Sequence, residues 1–233
     1  MKMIRSVLFA AITLSAAVCQ AQAADEIINK HIEAIGGKEK LSQVKSLYTE
    51  STMEIMGNQA PVVDYLLDGT GFKNETEFNG SKIIQCFTTK GGWSVAPMSG
   101  GGAQPMPDEI YQAGKNSIYA GGGLIDYAAK CSKVVLLGQE EGSYKIKVTN
   151  GTNEATYFID TATYYIKKMV TKGDLMGQTV DVTTTYSDYK KTDFGIVLPY
   201  SKTVDLGSFS IPSKITKVEV NKTIDPAIFD MPK

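Results

Sequence analysis

From Ser46 onward the apolar residues recur at every second position, with short glycine-bearing turns between the runs, and this period constrains the fold more than any other feature of the chain. Leu47, Met53 and Ile55 point one way while Tyr48, Glu50 and Glu54 point the other. The alternation returns at Val63, Tyr65 and Leu67, at Tyr144, Ile146 and Val148, at Val180, Val182 and Tyr186, and at Ile196, Leu198, Tyr200 and Val204. Strands are expected at 46–56, 61–68, 71–79, 82–88, 91–96, 133–139, 143–149, 155–160, 164–172, 178–189, 196–206 and 212–221, about a dozen in all. Turns as short as Asp68-Gly69, Asn79-Gly80 and Glu141-Gly142 make the neighbours antiparallel, since a parallel crossover needs a dozen or more residues. In the tail, Thr216, Val218 and Val220 alternate as a closing strand, and Ile228 and Phe229 pack after an Asp225-Pro226 turn.

Two segments leave this rhythm. Residues 24–35 carry Ile28, Ile32 and Ile35 at helical spacing, with Asp25 and Glu26 at the positive end of the dipole and Gly36-Gly37 to stop the helix. His31, the only histidine, flanks that stripe and reads as a packing or solvent residue. Residues 98–123, framed by the glycine triplets 100–102 and 121–123, are long for a hairpin connection. Pro107-Asp108-Glu109 marks a helix start there, and Ile110, Tyr111, Ile118 and Tyr119 give it a partly apolar face. The segment is either a hinged flap over an opening or an exposed insertion.

The first 23 residues read as a cleavable secretory leader. Lys2 and Arg5 precede a weakly polar to apolar run at 7–18, and Ala21-Gln22-Ala23 forms a small-residue cleavage site. The run is too short to span a bilayer, which takes roughly 20 apolar residues. Cys19 is a weaker alternative as a lipid-attachment site, because Val18 stands where a small residue is wanted. Residues 24–233 then form one domain with 22 basic and 25 acidic side chains, a net charge of −3, in the periplasm. Cys86 and Cys131 either close one disulfide in that oxidising compartment or sit as separate buried thiols.

Chemistry-bearing motifs are sparse. Arg5 is the only arginine, so the mature domain has no guanidinium to clamp phosphates, and nucleic acid is not an expected partner. One histidine cannot build a multi-histidine metal centre. There is no G-x-S-x-G elbow, H-E-x-x-H helix, phosphate loop or C-x-x-C pair, and the acidic residues lack calcium-loop spacing. No cofactor and no catalytic role are expected, and a hydrolase ranks third among the readings. What remains is a sheet face rich in the 12 Tyr, 8 Phe and 9 Met of the chain, side chains that suit adaptable binding of apolar ligands. The candidate lining is Met53, Ile55, Tyr65, Leu67, Phe72 and Phe78 on the early strands, with Ile110, Tyr111, Ile118 and Tyr119 on the flap above them. Lys115 and Lys130 are candidate partners for an anionic head group.

Several stretches are similar to a known family: AIGGKEKLSQVKSL at 34–47, GGWSVAP at 91–97, YFIDTATYYIKKM at 157–169, YSDYKKTDFGIVLPYS at 186–201 and ITKVEVNKTIDPAIFDMPK at 215–233. Together they resemble the outer-membrane lipoprotein-sorting proteins of LolA/LolB-like type. The resemblance implies a mainly β fold with helices: a curved antiparallel sheet, an incomplete barrel of about eleven strands, whose concave apolar side is covered by helices and accepts acyl chains. The best-known of these carriers use an arginine near the cavity, and the mature domain has none to take that role. The leading expectation is a periplasmic carrier or binder of lipid-like ligands, the acyl chains of outer-membrane lipoproteins among them. The alternative is a protein-interaction module, an accessory to an envelope enzyme or assembly complex, in which the same face docks an envelope protein.

Overall fold

The structure, a computed structural model, describes residues 22–97, 100, 102–175 and 178–232. The expected leader, with Cys19, lies outside the described residues apart from its last two positions. Among the described residues thirteen strands form one open antiparallel sheet: β1 (Ser46–Ile55), β2 (Asn58–Leu67), β3 (Gly71–Phe78), β4 (Ser81–Thr88), β5 (Gly91–Val95), β6 (Gln104–Pro105), β7 (Lys133–Glu140), β8 (Ser143–Asn150), β9 (Asn153–Asp160), β10 (Ile166–Leu175), β11 (Gln178–Lys191), β12 (Val197–Asp205) and β13 (Ser210–Val220). All of the expected strands are present, with ends moved by a few residues. The addition is β6, two residues pairing with Trp93 and Ser94 of β5, too short for a period to show.

The spatial order is β6-β5-β4-β3-β2-β1-β13-β12-β11-β10-β9-β8-β7. Two meanders, β1 to β6 and β7 to β13, are therefore zipped together along β1 and β13, with Leu47 opposite Val220 and Met53 opposite Ser213. The sheet does not close, and its two edges, β6 and β7, are consecutive in the chain. Residues 106–132 must cross from one edge to the other, so the expected flap is a strap over the concave side. It contains α3 (Asp108–Gly114), starting after Pro107 as the sequence indicates, and a 3-10 turn at Lys115–Ile118. The N-terminal helix, here α1, spans 22–34 among the described residues, and a one-turn helix α2 (Lys38–Ser42) follows it.

Each face of the sheet has its own core. On the concave side Ile28 and Ile32 of α1 pack with Val134, Ile146 and Ile159 of β7 to β9, joined by Leu41, Leu124 and Ile196. Helix α1 is held at its end by the bond from Val197 N–H to the Ile35 carbonyl, 2.9 Å. Gly36 allows this approach: its φ is 132°, and a Cβ there would lie 3.2 Å from Ile196 Cα. On the convex side the tail lays Phe229 against Cys86 and Trp93, with Tyr65, Leu67 and Ile228 around them. Asp225 caps the 3-10 turn Pro226–Phe229 by accepting from Ala227 N–H, in line with the expected Asp225-Pro226 turn.

The disulfide alternative is not realised, and both cysteines are free. Cys86 is enclosed in the tail cluster, whereas Cys131 is exposed just before β7, in a left-handed conformation at φ 58°. Only the separate-thiol reading survives, and only Cys86 is buried.

Candidate functional site

Between the concave face of β8 to β12 and its cover of α1, α2 and the strap lies a cavity of ≈ 630 Å³. Every one of these strands contributes to its wall, among them Val148 from β8, Tyr157 from β9, Met169 from β10, Tyr186 from β11 and Leu198 from β12. Ile35, Leu41 and Ile196 line it where α1 and α2 meet β12, and Ala120 to Leu124 of the strap line its roof. Five of the exposed lining residues, Ala113, Ser117, Thr152, Glu154 and Lys172, gather at the other end, around the β8–β9 turn, and form the mouth.

Hydrogen bonds tie the strap to the sheet and its turns along its length: Met106 N–H donates to the Gly92 carbonyl at 2.8 Å, Gly69 N–H to the Ile118 carbonyl at 2.9 Å and Ala120 N–H to Asp68 Oδ1 at 2.8 Å. Asn153 Nδ2 donates to the Gln112 carbonyl at 2.8 Å, Asn150 Nδ2 to the Lys130 carbonyl at 2.6 Å, and the Tyr111 hydroxyl to the Thr88 carbonyl at 2.9 Å. Two glycines let it lie close. A Cβ at Gly123 would sit 2.8 Å from the Tyr157 hydroxyl oxygen, and one at Gly114 2.2 Å from Phe87 Cε1.

The interior is electrically quiet. Burial pushes the Tyr186 phenol up to about 12 and raises those of Tyr157 and Tyr189, so all three stay protonated. The Tyr189 hydroxyl donates to the Ile166 carbonyl at 2.6 Å. His31 lines the cavity with its ring buried and Nδ1 2.8 Å from the Tyr164 carbonyl, so Nδ1 carries the hydrogen. Burial holds its pKa below the ordinary value, outweighing that carbonyl, and the ring is neutral at pH 7. No group of three or more His, Cys, Asp or Glu able to hold a metal occurs among the described residues.

None of the ten residues selected on sequence grounds lines this cavity. Met53 pairs with Ala60, Ile55 with Asn58 and Phe72 with Leu66, which puts them on the strap side of β1 to β3, and Phe78 shares their face. Tyr65 and Leu67 lie on the opposite face, beneath the tail. Ile110 is half exposed, Ile118 is buried beside β3 and β4, and the Tyr119 ring lies 4.4 Å below the Lys130 ammonium. The strap does contribute, but through Gln112, Ala113, Asn116 and Ser117 and the residues after Tyr119. Lys130 is already engaged: its Nζ donates to the carbonyls of Gly122 and Ile125, both at 2.7 Å. Lys115 Nζ donates to Gln112 Oε1 at 2.8 Å. The alternation at Val148, Tyr186 and Leu198 was visible in the sequence, although nothing there ranked this half of the sheet above the other.

No protein-family model and no curated protein sequence matches this chain. Solved structures do match over nearly its whole length. An outer membrane lipoprotein-sorting protein domain from Vibrio parahaemolyticus is 14% identical with a TM-score of 0.57, covering 90% of this chain and 97% of that one. A DUF1329 family protein from Desulfovibrio piger is 12% identical with a TM-score of 0.60, covering 91% and 97%. A LolA superfamily protein from Nitrosomonas europaea is 10% identical with a TM-score of 0.59, again covering 91% and 97%. Identities this low speak for the fold, and the chain carries the LolA-like fold: an open, curved antiparallel sheet with a helical cover over its concave side.

Proposed function

We propose that this protein is a non-enzymatic periplasmic binder or carrier of hydrophobic, acyl-chain-bearing ligands, which it shields in the cavity between β8–β12 and the strap. The observation that carries this reading is the cavity itself. At ≈ 630 Å³ it falls within the roughly 300–1,000 Å³ of small-molecule sites, and its walls are mostly apolar and aromatic with polar side chains among them. Burying about ten methylenes at ~0.8 kcal/mol each gives roughly 8 kcal/mol before association costs. Since a Kd of about 1 μM corresponds to about −8 kcal/mol, useful affinity calls for a longer chain, several chains, or polar contacts at the mouth. The leader read from the sequence supports the compartment, and the fold shared with a lipoprotein-sorting domain supports acyl chains of lipoproteins as one ligand of this kind.

The test is titration with an uncharged naphthylamine dye that fluoresces in apolar surroundings. Saturable binding, displacement by long-chain but not short-chain alcohols, and loss on Met169→Asp in a folded protein are the expected results. Loss on Phe78→Asp with no effect of Met169→Asp would return the site to the early strands. A folded, delipidated protein that never binds the dye would leave the interaction-module reading in its place.

A further inference from the structure

Resting on that reading, we infer that the ligand's head is uncharged and hydrogen-bonding, a glycerol-like or amide-bearing group, and that the mouth discriminates against anionic amphiphiles. Among the described residues two charged residues line the cavity, both at its mouth, and alternation with the cavity-facing Ala155 and Thr171 turns their side chains to the convex face, where each is paired. Glu154 is 2.6 Å from Lys147 Nζ, and Lys172 is 2.5 Å from Asp181. The nearby strap lysines do not line the cavity: Lys130 donates to two backbone carbonyls and lies over the Tyr119 ring, and Lys115 donates to Gln112. Among the described residues no ammonium group is turned into the cavity to neutralise a phosphate or carboxylate.

What the mouth does offer is neutral polarity. Asn116, Ser117 and Thr152 line it, and among the described residues their side chains make no hydrogen bond, whereas Asn150 and Asn153 are spent on holding the strap. Amides and hydroxyls satisfy a head that both donates and accepts. An anionic head drawn to the same place loses hydration without gaining a countercharge, and that cost falls on affinity. A neutral head also makes binding indifferent to salt, because no ion pair forms to be screened.

The experiment is dye displacement by two probes that differ only in the phosphate: a 1-monoacylglycerol and the lysophosphatidate of the same chain, below their micellar concentrations. The monoacylglycerol is expected to displace at a concentration at least tenfold lower, moving less than twofold between 50 mM and 500 mM salt. Thr152→Lys, an exposed substitution, is expected to narrow that gap at low salt by admitting the phosphate. Equal displacement by the two probes, or stronger displacement by the lysophosphatidate, overturns the neutral-head inference while leaving the hydrophobic-ligand reading standing. A gap that Thr152→Lys does not change overturns the assignment of the head to this mouth. Failure of both probes to displace the dye overturns this inference and the reading beneath it.

Discussion

Trp93 donates its indole Nε1–H to the main-chain carbonyl of Phe229 at 2.8 Å, and so a strand of the first meander is bonded to the last turn of the chain across 136 residues. The ring of Phe229 fills the space above Gly71, where a Cβ would lie 2.6 Å from its Cγ. The tail is thus a built part of the convex core. Phe229→Ala should cost about 3–5 kcal/mol, the usual range for truncating a buried Phe. Removal of residues 224–233 should lower the melting temperature further, and a melting curve unchanged by either alteration would show that the tail is a free arm.

The tail also explains which parts of the molecule could be read from the sequence. Strands were legible because most of them alternate, and the tail contact was legible because Ile228 and Phe229 follow a recognisable turn. Helix α2 was not, since five residues with only Leu41 buried leave no period to detect. The expected lining and the cavity fall on different halves of the sheet for a specific reason. In β2 the run Pro61-Val62-Val63-Asp64-Tyr65-Leu66-Leu67 is apolar on both faces, because this part of the sheet has the strap on one side and the tail on the other. The Met56-Gly57 turn then pairs Ile55 with Asn58, so odd-numbered residues of β1 share a face with even-numbered residues of β2. Met53 and Tyr65 therefore face opposite ways. Which half of the concave face stays open depends on where α1 lies, and no strand pattern encodes that.

At Gly114 the strap rests on the buried ring of Phe87 with no room for a methyl group. Gly114→Ala should lift the strap locally and expose it to proteolysis, with nicking between residues 106 and 132 accelerated several-fold while the sheet melts almost normally. Unchanged nicking would mean that the ring gives way.

His31 sets a pH dependence of stability. Its folded pKa is below the ordinary 6.5, so between those values the unfolded chain binds the extra proton and stability falls as pH falls. The contribution is complete above about pH 6.5 and is lost below it, with a slope of up to about 1.4 kcal/mol per pH unit. Asp160, whose carboxyl is lowered by hydrogen bonds from the Thr163 backbone and its neighbours, acts only below its ordinary 3.8. Denaturant unfolding from pH 7.5 to 4.5 should therefore show a fall in stability that His31→Gln removes. A fall of the same size in the variant would assign it to other groups.

Cysteine chemistry separates the two thiols. Burial pushes the Cys86 thiol up to about 12 and shields it, while Cys131 is exposed. A protein beginning at residue 24 should take up one equivalent of an uncharged alkylating reagent when native and two when denatured, as read by intact mass. Uptake that needs prior reduction would reveal a disulfide.

The central claim is that an acyl chain lies against β8 to β12 under the strap, and photo-crosslinking with an uncharged alkyl diazirine tests it most directly. Adducts mapped by peptide mass spectrometry should fall on segments containing Val148, Tyr157, Met169, Tyr186 and Leu198 and on the strap at 112–124, and should disappear under excess long-chain alcohol. Competable adducts confined to β1 to β3, at Met53, Ile55, Phe72 or Phe78, would contradict the account and place the ligand on the other half of the sheet.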